Sequence, residues 1–220
     1  MNITIRRATE RDKDFIITTI ISAEKSGTDI ISYCRIFSIS EEKFRGLLSD
    51  ILEEDIDGQE LCISGYLIAE VNGCPAAAFC GWVEHENALP SSTIKANLLN
   101  HFLERDIIFQ AAPNFKLMNE IDIARAPQTL QVEMSYTVEN YRGLGLCGKL
   151  VNEHIRLKKQ AGSPFDRVQV ITFNTNRSSI RAYEKIGFQK KIEKQCTNND
   201  IFNLLPSDTK ILMEKALNII

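Results

Sequence analysis

A glycine-rich turn between a strand-like run and a helix-like run constrains this chain more than any other feature. The turn lies within residues 138–150, and the helical pattern after it continues to about Gln160, with Gly162 as the stop signal. Apolar residues at every second position before the turn predict a strand with one apolar face. These residues are Leu130, Val132, Met134, Tyr136 and Val138. Such a turn leaves the first amides of the helix without partners, and with the helix dipole they favour an anion, most often a phosphate.

Two common phosphate-binding motifs match these glycines only in part. Gly143, Gly145 and Gly148 have the spacing of the dinucleotide fingerprint. That fingerprint needs an acidic residue at the end of the next strand to bind a ribose, and this strand ends in Asn174 instead. A nucleoside-triphosphate loop needs a Ser or Thr for magnesium where this chain has Leu150. Both motifs are therefore disfavoured.

A third motif fits the same turn better. Arg142-x-x-Gly145-x-Cys147 resembles the coenzyme A pyrophosphate loop of the GNAT family of N-acetyltransferases, where the last position is usually Gly or Ala. Cysteine is still small, and an aromatic residue such as Tyr141 is common before the arginine in that family. A second segment, residues 176–188, resembles the family's next motif, Asn…Tyr-Glu-Lys-x-Gly-Phe. Two motifs in the family's order are a much stronger signal than one.

The resemblance implies a fold and an activity. The fold would be α/β (α+β), with a mixed, mostly antiparallel sheet of about seven strands flanked by helices, its fourth and fifth strands splayed apart. The activity would be acetyl-CoA-dependent N-acetyl transfer, by direct attack of a primary amine in a ternary complex. The acceptor would be a small molecule or a protein amino terminus. No metal is implied.

The resemblance also places the donor substrate, acetyl-CoA. Backbone amides of the turn would hold its pyrophosphate, and the fourth strand would lie beside the pantetheine arm, with one amide facing the acetyl oxygen. The implied cofactor-binding residues are Tyr136, Thr137, Val138, Arg142, Gly143, Leu144, Gly145, Leu146, Cys147, Gly148 and Asn176. The turn is one residue shorter than the common family pattern, which leaves the strand register open by one. Arg142 would contribute through its side chain or through its backbone alone.

Two side chains are candidates for proton transfer. Tyr183 matches the family tyrosine that protonates the departing thiolate as a general acid. Alternatively, it is a packed aromatic residue in an ordinary helix capped by Asn176. Glu133 is the candidate base for the amine proton, although strand alternation puts it on the face away from Val132, where it would simply be solvated. Glu84, just past a predicted hairpin, is a weaker candidate.

The helix after the turn carries two further residues with reactive side chains. Cys147 would lie in its first turn, where a thiolate is favoured. We predict that this thiol is reactive in the free protein and shielded by bound coenzyme A. His154, further along the same helix, is predicted to be structural or exposed rather than catalytic.

Composition disfavours several other classes of function. The net charge of −3 provides no general basic surface for nucleic acid or anionic lipid. No apolar run approaches the length of a membrane span. The 6 cysteines are irregularly spaced, without a Cys-x-x-Cys pair, so a disulfide framework and a metal site are disfavoured. Reduced thiols in a cytoplasmic protein are expected.

The whole chain, residues 1–220, is predicted to form one domain with an insertion at about 84–128. The other predicted elements are a first strand from Ile3, helices at about 12–25 and 41–56, hairpin strands 66–71 and 75–83, and strands 167–173, 188–195 and 209–217. Apolar periodicity within the insertion predicts one amphipathic helix over residues 92–109. This helix would be a lid or wall of the acceptor site, or it would pack on the sheet or on a dimer partner.

Two rival functions stay open. A non-catalytic acyl-CoA-binding or sensor domain would have the same fold without needing a proton donor. A nucleotide-binding protein would use the glycine turn for ATP or NAD. The acyl chain length and the oligomeric state are also open, since edge strands and the insertion both allow a homodimer.

Overall fold

The centre of the molecule is a sheet, described here for residues 1–86 and 88–217 of a computed structural model. Its strands are β1 Ile3–Arg7, β2 Tyr66–Val71, β3 Cys74–Val83, β4 Leu130–Thr137, β5 Arg167–Phe173, β6 Gln189–Gln195 and β7 Thr209–Ala216. They lie in the order β1-β2-β3-β4-β5-β7-β6. Every neighbouring pair is antiparallel except β4 and β5, which are parallel. The predicted mixed, mostly antiparallel sheet is confirmed.

Helices cover both faces of this sheet. They are α1 Lys13–Lys25, α2 Ser32–Phe37, α3 Glu41–Glu54, α4 Ser91–Phe102, α5 Arg105–Met118, α6 Leu146–Gln160 and α7 Arg177–Lys185. The first five helices pack on one face, around buried residues such as Phe44 and Leu48. The last two pack on the other face, where Val151 and Tyr183 are buried. The two faces are called the α1 side and the α6 side below.

The hairpin between β2 and β3 shows how local sequence sets this geometry. Asn72 and Gly73 have φ of 52° and 82°, as the two-residue type I′ turn requires. Side chains then alternate across the sheet, so that Leu67 packs on the α6 side and Ile68 on the α1 side. The predicted hairpin is confirmed.

Side-chain caps begin two of the predicted helices. Ser40 Oγ accepts a hydrogen bond from the Lys43 amide at 3.1 Å, which starts α3. Asn176 Oδ1 accepts one from the Ser179 amide at 3.3 Å, which starts α7. Because both caps were assigned from residue type alone, the helix starts are among the features most directly encoded in the sequence.

The predicted single helix over residues 92–109 is wrong, because the chain forms two helices there, α4 and α5. They separate at Leu103 and Glu104, whose backbones are extended, with ψ of 144° and 139°. Leu103 is buried at this corner, and the break lets α4 pack on α3 while α5 packs on α2. Pro113 does not end α5, which continues to Met118. The apolar stripe is therefore shared between two helices.

The parallel strands β4 and β5 separate soon after they begin. Their pairing in the described structure is limited to Leu130 with Val168 and Gln131 with Gln169. Beyond these residues β5 continues to pair with β7 on its other edge, while β4 continues to pair with β3. The result is a wedge-shaped gap in the middle of the sheet, which confirms the predicted splay.

A bulge in β4 was not predicted from the alternating pattern. Met134 has φ of 50°, and the register against β3 shifts between Ala78 and Cys80. The extra residue moves later side chains to the other face. Val132 packs on the α6 side, whereas Met134 and Tyr136 contact the α1 side. The expectation of one continuous apolar face is therefore wrong from Met134 onward.

Candidate active site

The turn after β4 presents free backbone amides. Gly143 and Gly145 have φ of 84° and 70°, which favours glycine, and no atom lies within 4 Å of a Cβ built at either position. Helix α6 begins at the next residue, Leu146. Within the described part of the chain, the backbone N–H groups of residues 143–148 donate no hydrogen bond. Together with the helix dipole, these amides suit a phosphate group.

The side chains around the same turn hold it in place. A Cβ at Gly148 would lie 2.8 Å from Ile186 Cγ2, so the glycine lets α6 approach the end of α7. Leu144 and Leu146 pack into the apolar cluster of the α6 side. The turn is thus anchored through its side chains while its amides stay available. This arrangement fits the pyrophosphate of coenzyme A.

Two polar or reactive side chains complete the turn. Arg142 is exposed, with its Nη1 atom 3.7 Å from the exposed Glu139 carboxylate, and its backbone N–H donates to the Glu139 carbonyl at 3.1 Å, so its side chain is the part with a charge to offer a ligand. Cys147 is half-buried, and burial raises its pKa to about 11. The expectation of a thiolate at this helix start is therefore wrong, because the thiol stays protonated at neutral pH.

The unpaired edge of β4 faces the gap with alternate backbone groups. Val138 N donates to Ala76 O at 2.9 Å, so this amide is hydrogen-bonded to β3 and does not face the gap. Backbone polar groups alternate in direction along an antiparallel pair, so Tyr136 also directs its amide to β3. Thr137, between them, directs its N–H and C=O towards the gap. Among these three residues, Thr137 therefore presents its backbone to a ligand lying between the strands.

Tyr183 lies on α7, beside the gap. It is buried, and its ring centroid is 6.3 Å from that of Phe79 and 5.7 Å from that of Phe188. Its hydroxyl oxygen lies 3.3 Å from Ser135 Oγ, on the bulged part of β4. Burial raises the pKa of Tyr183 above its usual value, so the hydroxyl keeps its proton at neutral pH. Sequence reasoning missed Ser135, because the bulge decides which way it points.

A cavity of about 340 Å³ lies on the α1 side of the gap. Its walls come from α1, α2, α4, α5 and the strands β4, β5 and β7, and Tyr183 reaches it from α7. The insertion contributes Ser92, Lys95, Leu99, Phe115, Met118, Asp122 and Arg125. Its helices therefore pack against the core and also form part of the cavity wall.

Two ion pairs line this cavity. Arg125 Nη2 donates to both carboxylate oxygens of Glu133, at 2.8 Å and 2.7 Å, and Lys95 pairs with the buried Glu60. Burial alone would lower the pKa of Arg125 and of Lys95, but the facing carboxylates outweigh burial and raise both. Both cations therefore stay charged inside the wall of the cavity.

Glu133, the predicted base, thus has a specific partner. It is only 8% exposed, so the alternative of a solvated side chain is wrong. Arg125, which also lies 5.5 Å from the Trp82 ring centroid, was not singled out from the sequence. It precedes β4 in a segment without regular structure, where no periodicity indicates what its side chain faces. The catalytic role of Glu133 stays a prediction.

Asn176 joins two elements at the edge of the cavity. Besides capping α7, its Nδ2 atom donates to Ser26 Oγ at 2.9 Å. Ser26 is the residue at which α1 ends, in a left-handed conformation with φ of 48°. Asn176 therefore fixes the end of α1 against the start of α7, and its cap role is confirmed.

His154 and Glu84 have structural partners. His154 Nε2 hydrogen-bonds the Phe79 carbonyl at 2.9 Å, and burial lowers the His154 pKa to about 4. The ring is neutral, with its Nε2–H donated to the sheet, which confirms the structural prediction. Glu84 accepts from the Trp82 indole and from the Ser91 amide, both at 2.9 Å. It thus ties the end of β3 to the start of α4.

Neither a metal site nor a membrane span is found in residues 1–86 and 88–217. No group of three or more His, Cys, Asp and Glu side chains there could hold a metal ion. No helix of these residues is long and apolar enough to cross a membrane. All 6 cysteines are free thiols.

Comparison with known proteins identifies the family. The model of the acetyltransferase (GNAT) family matches residues 33–188, well over half of the chain. The chain therefore belongs to the GNAT family of acetyltransferases, and it is an N-acetyltransferase by this membership. It matches no curated protein sequence.

Solved structures support the same fold. A crystal structure described as an acetyltransferase is 18% identical, with 98% of this chain and 100% of that chain covered and a TM-score of 0.63. An N-acetyltransferase from Staphylococcus aureus Mu50 is 15% identical, with 96% and 99% covered and a TM-score of 0.62. A ribosomal-protein-alanine N-acetyltransferase from Brucella melitensis is 14% identical, with 97% and 99% covered and a TM-score of 0.51. At these identities the likeness concerns the fold.

Proposed function

We propose that the protein transfers the acetyl group of acetyl-CoA to a primary amine, by direct attack in a ternary complex. The acceptor is a small molecule or a protein amino terminus. The gap between β4 and β5 carries this proposal. Free amides of residues 143–148 lie beyond the end of β4, and the Tyr183 hydroxyl lies beside Ser135 of the same strand. The free amides and the protonated Tyr183 hydroxyl thus both lie next to β4, along the gap.

The donor side would use the turn and the free strand edge. Amides of residues 143–148 would bind the pyrophosphate, and Arg142 would add positive charge in front of them. The Thr137 backbone would hydrogen-bond the pantetheine arm, with Tyr136, Val138 and Asn176 around it. Acetyl-CoA supplies an activated thioester when bound. These residues orient it so that the acetyl group points into the cavity.

Proton movements would then follow from the residues around the cavity. Tyr183 holds its proton at neutral pH and would give it to the departing sulfur, with Ser135 orienting the hydroxyl. A carboxylate of the cavity would accept a proton from the incoming ammonium. Glu133 is the candidate predicted from sequence, and Arg125 holds it in place. Over the reaction the nitrogen loses two protons, one ending on the thiol and the other in solvent.

Two further expectations belong to this proposal. A cytoplasmic location is supported by the free thiols of all 6 cysteines. A homodimer is the other expectation, and it would not form by direct pairing of the exposed edge strand β6, because its three Lys side chains oppose edge-to-edge pairing.

Ligand-dependent stability and thiol release test the proposed function. Coenzyme A should raise the melting temperature, because a ligand at about 100 times its Kd adds roughly 2.7 kcal/mol of stability. ATP with magnesium and NAD should not. Acetyl-CoA with a panel of primary amines should release free thiol. Stabilisation by NAD or ATP but not by coenzyme A would overturn the proposal, and coenzyme A binding without thiol release from any amine would favour a sensor.

A further inference from the structure

One carboxylate in the cavity has an oxygen without a hydrogen-bond partner and forms no direct ion pair with the described residues. Glu24 lies near the end of α1 and lines the cavity, and its Oε2 atom is buried without a hydrogen-bond partner among the described residues. Burial raises the Glu24 pKa to about 7. Lys95 and Lys210 attract this carboxylate from a distance, but burial outweighs them, and a ligand N–H group that donates directly to Oε2 would remove the penalty. The cavity therefore has a place for a positively charged group.

One cation in the same cavity also lacks an ion-pair partner. Lys210, on β7, is half-buried and forms no ion pair with the described residues, although its Nζ atom lies 5.8 Å from the Phe173 ring centroid. Burial lowers the Lys210 pKa, while the charges of Asp122 and Glu24 act in the opposite direction. Asp122 itself is exposed at the rim.

The remaining charges of the wall are already matched. Arg125 pairs with Glu133, and Lys95 pairs with Glu60. Glu60 Oε2 also lacks a hydrogen-bond partner, but Lys95 balances its charge. The ionisable groups that face Glu24 across the cavity are Tyr33, Glu60, Lys95, Asp122, Arg125, Glu133, Tyr183 and Lys210. Glu24 and Lys210 attract each other but form no direct ion pair with each other or with another described residue, so a ligand with both charges could bind each of them directly.

From this pattern we propose that the acceptor carries an anionic group as well as its amine, with Glu24 receiving the amine and Lys210 the anion. The inference rests on the proposed function, since it names the acceptor class of the same site. A zwitterion of this kind satisfies both charges at once. A simple amine leaves the half-buried Lys210 without a direct ion-pair partner, whereas an anionic group on the acceptor would supply one. The volume of about 340 Å³ suits a small molecule, such as an amino acid.

Glu24 also has the chemistry to prepare the amine, and it takes this step in place of Glu133, because Arg125 already donates hydrogen bonds to both carboxylate oxygens of Glu133. When the ammonium binds, one N–H bond breaks and the proton forms an O–H bond with Glu24. The neutral amine then has its lone pair free for attack. A carboxylate with a pKa near neutral is suited to this transfer, because it is ionised often enough to accept the proton. Tyr183 lines the same cavity, so both proton transfers take place within one enclosed space.

Matched pairs of acceptors test the anion site. Amino acids and their carboxamides differ in one negative charge, and both are assayed for thiol release with acetyl-CoA and for stabilisation of the coenzyme A-loaded protein. We expect kcat/KM at least about 10-fold higher for the best acid than for its amide. Lys210→Met should bring this ratio close to one, because it should lower kcat/KM for the acid and leave kcat/KM for the amide unchanged. Lys215→Met, on the same strand but outside the cavity lining, should leave the ratio unchanged.

A pH profile tests Glu24. The wild-type kcat/KM should fall as pH drops below about 7, because protonated Glu24 can no longer accept the amine proton. In Glu24→Gln the plateau should fall at least about 10-fold and this limb should disappear. Glu42→Gln changes an exposed residue of α3, and it should keep both the plateau and the acid limb of the wild-type profile.

The outcomes separate this inference from the proposed function. Thiol release from simple amines with no preference for acids would overturn the inference and leave acetyl transfer standing. The same holds if Lys210→Met slows acids and amides equally, if Glu24→Gln keeps the acid limb, or if no acid reacts with or stabilises the loaded protein. Failure of coenzyme A to bind would overturn the proposed function itself.

Discussion

The two sides of the β4–β5 gap are built in different ways. On the α6 side, the turn of residues 143–148 presents backbone amides that are contiguous in the chain and donate no hydrogen bond within the described structure. On the α1 side, the cavity is lined by charged side chains from α1, α4, the segment before β4, and β7. Backbone recognition needs glycines and a helix start, whereas side-chain recognition needs several distant segments to meet. The first is therefore visible in sequence and the second only in the fold.

This difference corresponds to two kinds of specificity. In the proposed function, the backbone amides of the turn bind a diphosphate that is the same for every acyl-CoA. In the same proposal the cavity binds the acceptor, and its charges can differ between proteins of the same fold without changing the turn. The α6 side would therefore determine the donor that the whole family shares, and the α1 side would determine which acceptor this protein uses.

The largest expected effect is a loss of kcat on substitution of Tyr183, which is buried on the α6 side and also lines the cavity on the α1 side. Tyr183→Phe should lower kcat by about 10²- to 10³-fold, because the hydroxyl donates the proton that the leaving sulfur needs. The coenzyme A Kd should change by less than about 2-fold, since the ring and its packing remain. Steady-state kinetics and calorimetry measure both quantities. Tyr141→Phe, the same change outside the cavity lining, is the control, and equal turnover in wild type and Tyr183→Phe would rule out the acid role.

The ion pair in the cavity wall should give the next largest effect. Arg125→Met leaves the Glu133 carboxylate without its partner, so the free energy of unfolding should fall by about 3 kcal/mol. Adding Glu133→Gln removes that charge and should recover part of the loss. Urea denaturation measures all three proteins. Arg156→Met breaks an exposed pair with Glu153 and should leave the free energy of unfolding almost unchanged, because solvent screens this pair. A loss equal to that of Arg125→Met would show that burial does not determine the effect.

Most of the elements on both sides could be predicted from local patterns. Alternation and turn residues predict the hairpin, and caps such as Ser40 and Asn176 predict helix starts. The bulge at Met134 could not be predicted, because its left-handed backbone is occupied by a residue that does not ordinarily favour it. The break between α4 and α5 at Leu103 was missed for a similar reason. An apolar stripe continues through it, and only tertiary packing shows where the chain turns.

The charges of the cavity show the same limit more clearly. Glu24, Lys95, Arg125 and Lys210 lie far apart in the sequence, and none belongs to a motif. Their meeting depends on where α4 and the segment before β4 come to rest against α1 and β7. By contrast, Tyr183 was found because it lies inside a contiguous motif. A contiguous site can be read from one stretch of chain, but a site assembled by long-range packing cannot.

Acid should weaken the α6 side through His154. Its pKa is about 4 in the fold and 6.5 without the fold, so the unfolded chain binds more protons between these values. Stability is therefore lost as pH falls below 6.5, by about 2 kcal/mol at pH 5 from this group, at about 1.4 kcal/mol per pH unit. Denaturation of wild type and His154→Gln between about pH 7 and about pH 5 measures the difference in the slope of stability against pH. Parallel slopes would contradict the assignment.

The smallest expected effect separates backbone strain from ligand binding at the glycine turn. Gly145→Ala places a side chain at φ of 70°, which should cost about 1 kcal/mol of stability. The new methyl group also enters the open space before the free amides, so the coenzyme A Kd should rise by about 5- to 10-fold. Gly162→Ala has a similar φ of 81° and equally open surroundings, but it lies at the other end of α6. It should show the same loss of stability with unchanged coenzyme A binding. If both variants bind coenzyme A like the wild type, the turn is not the pyrophosphate site, and the contrast between a backbone side and a side-chain side does not hold.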